Sequence, residues 1–487
     1  MRGASRSLGT VLALAFAASL GGGCASQPGA NVGMGGAAGG PGGAPSTAGN
    51  SGAPGAAGQA GGTAGVTGTA GSGGNGGAAS CALPVSAAGH GIPTQIFAAG
   101  NDTCALFSDG TIACWGDDSA GQLGDCGTTS RATPATVPGV QANYSFVMSP
   151  HKMCTVVYMS NFAGPVVCWG PGPPTAVQGA ANGVALSDDH ACGGVQAVGS
   201  QPAGTGCWGE NSAGELGDGT TTSSQAAVRV LDIPLGDNVI VGPYFNCATS
   251  GSNGTGDLWC WGLNRNGQLG DGTTTSPVRP EQLNVPSIRS LAILGQYTLA
   301  GTTDGGLLCW GTGYCGDGAA STVARLSPTP VTLPQTMMYG PVGGAQGVCV
   351  ELGDQSIWCW GSNKYGQVGD GTTSERLTPT STGFTTQLPY QVYANADGSS
   401  FYTIAQYGWV YAWGHNDQGQ LGDGTTTDRS TPTRIPGLSD VTQLVAGTSH
   451  ACVTTYDGAV LCWGANQNGQ VGDGTFVNRT SPVTVTF

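Results

Sequence analysis

The chain has 487 residues, of which 89 are glycine and only 9% are charged, and its formal net charge is −14. Many glycines and few charges fit tightly turned β structure and argue against long exposed helices. An acidic surface repels phosphate backbones, so we expect no nucleic-acid partner. The 17 cysteines indicate either a disulfide framework or metal sites.

Residues 1–23 have the pattern of an export signal. Arg2 and Arg6 precede an apolar run that is too short to span a bilayer, and small residues then lead to Cys24. This arrangement resembles the lipobox of bacterial lipoproteins. The resemblance implies a lipid on Cys24 and an exported protein held in the cell envelope, as an outer-membrane or cell-surface lipoprotein. The alternative is an ordinary cleaved signal with an incidental cysteine.

Residues 24–90 form a low-complexity segment after the signal. Between positions 25 and 88 there is no Asp, Glu, Lys or Arg, and the composition is almost entirely Gly, Ala, Pro, Ser, Thr and Asn. Such a sequence cannot bury enough apolar surface to offset the entropy of ordering, so it predicts a flexible, disordered linker. The N-terminal lipid is then the expected membrane contact.

Residues 91–487 repeat one unit of about fifty residues. Each copy reads as strand, tight turn, strand, glycine-rich loop and extended segment, which predicts an all-β propeller. About eight blades are expected; seven are the alternative, because the second copy is short and lacks the GQLGDG loop. The dipeptide Trp-Gly marks copies 1 to 8 at Trp115, Trp169, Trp208, Trp261, Trp310, Trp360, Trp413 and Trp463.

The pattern GxxHxCAL…DGxVxCWGxNxxGQLGDGTTT resembles the regulator of chromosome condensation repeat. Residues 447–475 match it nearly throughout, and the resemblance covers 92–487. The resemblance implies a β-propeller, usually with seven blades. Nuclear members of this family act as guanine-nucleotide exchange factors, a role that the export signal and the acidic charge argue against here. Secreted relatives act as pure protein binders.

Twelve cysteines occupy two equivalent positions in six copies, and we predict that they form six disulfides within the blades. In copies 1, 6 and 8 the two positions face each other across a hairpin, in the register where Cα atoms lie closest. Copy 7 replaces both at once, with Tyr402 and Ala412, as a covalent pair predicts. The predicted pairs are Cys104 and Cys114, Cys154 and Cys168, Cys192 and Cys207, Cys247 and Cys260, Cys349 and Cys359, and Cys452 and Cys462.

Four cysteines stand outside this pattern. Cys309 and Cys315 are six residues apart and are placed to bridge each other. The pairing of Cys81 and Cys126 stays open. Five scattered histidines supply no Cys/His quartet for zinc.

No motif points to catalysis, a metal or a cofactor. The chain has neither G-x-S-x-G nor H-E-x-x-H. Each Gly-Asp-Gly loop offers one Asp, too few for an EF-hand calcium loop, so each is interpreted as bonding its own turn. The Trp-Gly tryptophans are interpreted as core between blades. The loop aspartates are Asp218, Asp271, Asp317, Asp370, Asp423 and Asp473.

The functional signal is variation within an otherwise uniform repeat. Two residues before the first cysteine position, the chemistry changes from copy to copy, which makes these strand ends a candidate binding face. The hairpin turns of copies 2 to 4 are enlarged, at 160–164, 195–206 and 250–256, and such loops commonly carry recognition, with neutral drift as the alternative. The candidate residues are Asp102, Lys152, His190, Phe245, Tyr297 and His450.

We therefore expect a monomeric, surface-anchored module that binds a protein or an extracellular polymer and is not an enzyme. The alternative function is an extracellular propeller lyase or hydrolase acting on a polymer. A cluster of acids and a histidine at the mouth of the channel would favour that alternative.

Overall fold

The structure is a computed structural model, and it describes residues 91–159, 162–196, 203–233, 238–250, 256–385 and 391–487. The predicted signal, the linker, Cys24 and Cys81 lie outside the described residues, so the predictions made for them stay predictions. Large parts of the three enlarged turns also lie outside. Within the described residues, no helix is long and apolar enough to cross a membrane.

Short β-strands make up nearly all of the regular structure in the described residues. The strands of the first four repeats are β1 Pro93–Ala99, β2 Asp102–Phe107, β3 Thr111–Gly116, β4 Arg131–Met148, β5 Met153–Met159, β6 Phe162–Gly170, β7 Gly172–Ala176, β8 Ala180–Leu186, β9 His190–Val195, β10 Gly204–Gly209, β11 Ser224–Arg229, β12 Asn238–Val241, β13 Phe245–Thr249, β14 Gly256–Gly262 and β15 Glu281–Ile293. The strands of the last four are β16 Tyr297–Thr302, β17 Leu307–Thr312, β18 Ala324–Pro330, β19 Met337–Gly343, β20 Gly347–Leu352, β21 Ser356–Gly361, β22 Arg376–Thr385, β23 Val392–Ala394, β24 Ser400–Ala405, β25 Trp409–Gly414, β26 Arg429–Arg434, β27 Val441–Ala446, β28 His450–Thr455, β29 Val460–Gly464 and β30 Arg479–Thr484, with one 3₁₀ turn at Gln406–Gly408.

These strands form eight four-stranded antiparallel blades, one for each Trp-Gly copy. Two strands are long because each serves two blades. The first part of β4 pairs with β3 and its second part pairs with β5, and β15 joins β14 to β16 in the same way. The short second copy is therefore a complete blade, in which β7 follows β6 directly instead of after a long loop.

The hydrophobic core of the propeller is divided among the interfaces between neighbouring blades. Eight buried apolar clusters lie in the described residues, and each combines side chains from two adjacent blades. One of them joins Ile96 and Trp115 of blade 1 to Val445 and Cys452 of blade 8, so the last blade packs against the first and closes the ring. Radial repetition of this kind leaves only short sheet edges, at the outermost strands of the blades.

The repeated tryptophans connect each blade to the one before it, as the sequence predicts. The Trp115 indole N–H donates to the Gln470 main-chain oxygen at 3.0 Å. A Cβ atom at Gly472 would lie 2.5 Å from the same indole nitrogen, so the ring requires glycine there. Equivalent bonds are made by Trp169, Trp261, Trp310, Trp360, Trp413 and Trp463.

The hairpins bring the predicted cysteine partners directly opposite each other. The structure joins all six predicted pairs, whose Cα atoms lie 4.0–4.1 Å apart. It also joins Cys309 to Cys315, and Cys126 is disulfide-bonded as well. In copy 7 the same register sets Tyr402 against Ala412, and the Tyr402 hydroxyl donates to the Gln420 main-chain oxygen at 2.7 Å.

Candidate functional site: the loop face

Because the strands of each blade are antiparallel, successive connections between them lie on alternate sides of the ring. The turn between the first and second strands of a blade and the long loop between its third and fourth strands share one side, which we call the loop face. The hairpin turns between second and third strands lie on the opposite side, the turn face. The predicted strand-end residues and the enlarged turns are therefore on opposite faces.

An asparagine side chain holds the long loop in five blades. In blade 8 the Asn466 amide nitrogen donates to the Asp473 carboxylate at 3.1 Å and to the Thr475 main-chain oxygen at 2.9 Å, while its amide oxygen accepts the Val471 N–H. Asp473 also accepts the Thr475 N–H, as predicted for an aspartate that bonds its own turn. It forms an ion pair with Arg479 as well. These loops are thus rigid scaffolds. No group of three or more His, Cys, Asp or Glu side chains in the described part of the chain could hold a metal ion.

The strand-end residues assigned from sequence to a binding face are not on the surface. Asp102, His190, Phe245, Tyr297 and His450 are at most 1% exposed, and only Lys152 is partly exposed, so the assignment is wrong for those five. The reason is that these side chains point into the interior, where three of them contact the next blade. For example, His450 Nε2 lies 2.8 Å from the Thr103 hydroxyl, and His190 Nε2 lies 2.8 Å from the Asn246 side-chain oxygen.

The position just before each of these residues does reach the loop face. It is joined by a main-chain hydrogen bond to the residue that follows the Trp-Gly dipeptide of the same blade, with donor–acceptor distances of 2.8–3.1 Å. The backbone geometry is the same in seven blades, whereas the two side chains change from blade to blade. We call these the variable pairs: Asn101 and Asp117, Asp189 and Glu210, Tyr244 and Leu263, Gln296 and Thr312, Gln346 and Ser362, Ser399 and His415, and Ser449 and Ala465.

A cleft of about 410 Å³ opens on the loop face where blades 7, 8 and 1 meet. Its lining comes from three variable pairs, including Asn101, His415 and Ser449, and from neighbouring polar side chains, including Asp397 and Asp417. The lining is rich in carboxylate, amide and hydroxyl groups, which suits hydrogen bonding to a polar ligand.

His415 is the aromatic element of this cleft. Its ring stacks on Tyr365 of blade 6 with centroids 3.8 Å apart, and Lys364 Nζ lies 4.4 Å from the centre of the Tyr365 ring. His415 Nε2 lies 3.5 Å from an Asp417 carboxylate oxygen. These residues were not predicted from the sequence, although the residue after each Trp-Gly varies as strongly as the strand-end position and could have indicated them.

The cleft has the acids and the histidine that would favour an enzyme, but their contacts are structural. One Asp397 oxygen accepts the Gln346 side-chain N–H at 2.6 Å and the other accepts the Ser399 N–H at 2.9 Å. Among the described lining residues, no hydroxyl or thiol is hydrogen-bonded to His415 as a nucleophile would be to its base. The arrangement can orient and hold a ligand.

Burial tunes two charged groups elsewhere on the loop face. It lowers the pKa of Lys152 and raises the pKa of Asp189, and each of these two charges partly offsets the shift of the other. His151 lies beside them, with Nδ1 3.1 Å from an Asp188 carboxylate oxygen. Blades 2 and 3 therefore present a mixed-charge region on the loop face, next to blade 1.

The turn face carries one exposed aromatic group among the described residues of blades 7 and 8. Tyr407 is 63% and Tyr456 is 87% exposed, and main-chain hydrogen bonds through Asp440 connect the two. Trp409 lies beside Tyr407, with the Arg434 guanidinium 4.0 Å from the centre of its ring. This group is an exposed surface on the turn face, and it serves as the control for binding experiments on the loop face.

The family model of the Regulator of chromosome condensation (RCC1) repeat matches residues 255–297, 354–390, 407–454 and 457–487, and a second model of that repeat matches 441–470. The chain is 27% identical over 373 residues to the Ultraviolet-B receptor UVR8 of Arabidopsis thaliana, across 71% of this chain and 82% of the receptor. It is 29% identical over 282 residues to the E3 ubiquitin-protein ligase HERC2 of Homo sapiens, and this match spans 52% of the chain but 5% of the ligase.

Two solved structures share the fold. Human WBSCR16 has a TM-score of 0.51 at 19% identity, with 77% of this chain and 95% of that chain covered. Yeast RCC1 (Prp20), solved with bound Kap60, has a TM-score of 0.53 at 15% identity, with 84% and 86% covered. The fold comparison agrees with the blade architecture described above.

Proposed function

We propose, on the premise that this chain is a β-propeller of RCC1 repeats, that it is a non-catalytic module that binds a protein or an extracellular polymer through its loop face. The observation that carries the proposal is the set of variable pairs, in which one repeated backbone geometry presents different side chains in each blade. A scaffold of this kind loses little conformational entropy on binding, so its exposed side chains can supply affinity and specificity.

Three further points support a binding role. The cleft at blades 7, 8 and 1 is lined by hydrogen-bonding groups and has an aromatic wall. The disulfide-bonded hairpins and the bonded loops fix the surface before a partner arrives. Yeast RCC1 (Prp20), which has the same fold, was solved with Kap60 bound.

Alanine at two loop-face positions, Tyr244 and His415, is expected to abolish capture of the partner. The variant Tyr244→Ala/His415→Ala removes one aromatic from each side of the ring, and loss of such anchors typically weakens binding by about tenfold or more each. The full chain would be immobilised and exposed to a cell-envelope extract and to purified envelope polysaccharide from the source organism. Bound material would be quantified by mass spectrometry and by sugar analysis.

The matched control is Tyr456→Ala, because Tyr456 is 87% exposed but lies on the turn face. It is expected to capture as much as the wild type. Capture unchanged by the double variant would refute a loop-face site, and capture lost on shortening 195–206 would move the site to the enlarged turns. Polymer cleavage that is lost in His415→Ala would instead establish the lyase or hydrolase alternative.

We also propose that the module is held at the cell surface through a lipid on Cys24, with residues 24–90 as the tether. The basis is the signal pattern of residues 1–23 and the uncharged sequence after it. Labelling with a fatty-acid analogue is expected to mark the wild type and to leave Cys24→Ala unmarked. Equal labelling of the two proteins would show that the cysteine carries no lipid.

A further inference from the structure

Blade 1 differs from its sister blades at the residue that holds the long loop. In blades 3, 4, 6, 7 and 8 an asparagine nitrogen donates to the loop aspartate and to a loop main-chain oxygen. In blade 1 this place is taken by Asp118, and the loop aspartate is Asp125. The amide N–H donor of asparagine is thereby replaced with a carboxyl oxygen, which can only accept hydrogen bonds when the group is ionised.

The substitution leaves an unmatched polar atom in the interior. Asp118 Oδ1 accepts the Leu123 N–H at 2.9 Å, as the asparagine oxygen does in the other blades. Asp118 Oδ2 is buried with no hydrogen-bond partner, and the residue is 0% exposed. Its neighbour Asp125 already accepts the Gly127 N–H and pairs with Arg131. Two carboxylates therefore meet where the other blades have a donor and an acceptor.

We propose that the Asp118–Asp125 pair is a proton-binding site, in which a proton on Asp118 replaces the missing amide hydrogen and holds the blade 1 loop closed. A protonated carboxyl has nearly the shape of an amide and restores a donor at the same place. Loss of the proton places a second negative charge beside Asp125, whose carboxylate pairs with the Arg131 guanidinium, and the repulsion loosens the loop.

The charged groups around the pair are consistent with proton uptake near neutral pH. Burial raises the pKa of Asp118 to about 7, and Asp125 adds to the rise while Arg131 opposes it. On β2, burial raises the pKa of the neighbouring Asp102 well above its usual value. Next to Asp118, hydrogen bonds to Ser119 hold the pKa of Asp117 low despite partial burial. His450 of blade 8 is kept neutral because burial lowers its pKa to about 4.

The loop that this proton holds contributes to the contact between blades 1 and 2. The Gln122 main-chain oxygen accepts the Trp169 indole N–H at 3.0 Å, and Gly124 packs against the same ring. Opening the blade 1 loop therefore removes the hydrogen bond that the Trp169 indole N–H makes to blade 1. The protonation state of the site, and therefore the pH, affects the stability of the contact between blades 1 and 2.

The test uses the repeat itself as a control. Asp118→Asn restores the sequence of the sister blades, and Asn466→Asp introduces the carboxylate pair into blade 8, where Asp473 and Arg479 match Asp125 and Arg131. The full chain and both variants would be melted between pH 4 and pH 8. Because all other titrating groups are shared, the differences in Tm isolate the introduced or removed carboxyl.

Since the folded pKa of Asp118 is raised, the contribution of Asp118 to stability is present near pH 4 and is lost as pH rises towards 7. Asp118→Asn should match the wild type near pH 4 and melt roughly 3–6 °C higher at pH 8. Asn466→Asp should match near pH 4 and melt lower at pH 8. Parallel curves for wild type and Asp118→Asn would overturn the proposal. So would a rise in the wild-type Tm on adding Ca²⁺ at pH 8 that Asp118→Asn lacks, because the pair would then hold a cation.

Discussion

Replacing Trp115 with alanine is expected to lower the free energy of unfolding by about 3–5 kcal/mol. The side chain is 0% exposed and lies in the cluster that joins blade 8 to blade 1. Its removal opens a cavity at the ring closure and leaves the Gln470 main-chain oxygen without the indole donor. Phenylalanine at this position keeps much of the apolar contact and should fall between the wild type and the alanine variant. Urea unfolding followed by circular dichroism measures all three.

Trp358→Ala provides the comparison for this prediction. Trp358 lies in β21 but is not one of the Trp-Gly tryptophans; it is only partly buried, and its indole N–H bonds within its own strand, to Ser356. Its loss should cost clearly less than the loss of Trp115. Equal costs for the two alanine variants would show that the Trp-Gly contacts are not the main connection between blades.

Acidification from pH 7 to pH 4 is expected to destabilise the propeller through two buried histidines. Burial lowers the pKa of His190 and of His450 to about 4. Because each folded pKa is depressed, the neutral rings stabilise the fold above about pH 6.5, and that contribution is lost as pH falls towards 4. A difference of about 2.5 pKa units corresponds to about 3 kcal/mol for each histidine.

Glutamine variants can show which histidines cause the expected loss of stability at low pH. His450→Gln and His190→Gln should each flatten the fall in Tm between pH 6.5 and pH 4, since glutamine cannot acquire a proton there. His151→Gln is the control, because that side chain is 55% exposed on the loop face. If His450→Gln and His190→Gln melted with the same pH dependence as the wild type, the buried histidines would not be the groups that titrate.

Most of the architecture follows from the sequence because the repeat encodes it many times. The hairpin register is fixed by the cysteine positions, and copy 7 supports the same register by losing both cysteines together. The inter-blade role of Trp115 and its equivalents follows from their size and spacing. The blade number could be settled only with coordinates, because the first and last strands of blade 2 are the end of β4 and β7, and neither carries the repeat motif.

The candidate site was misplaced by one residue, for a reason specific to strands. Successive side chains of a strand point to opposite sides. Moving an assignment by one residue therefore exchanges a buried side chain for an exposed one. Asp102 is buried against its neighbours while Asn101 reaches the cleft. Sequence alone also could not show what Asp118 changes, because the partners of the equivalent Asn466 lie 7 and 9 residues away in a loop with no regular structure.

The central claim is that this propeller recognises its partner through the variable pairs of the loop face. The most direct measurement places a photo-crosslinking amino acid at Gln296, Tyr244 or His415 on that face, and at Tyr456 on the turn face, in the full chain in intact cells. Adducts of one defined mass should form from the loop-face positions and be absent from Tyr456. Adducts from Tyr456 with none from the loop face would contradict the account.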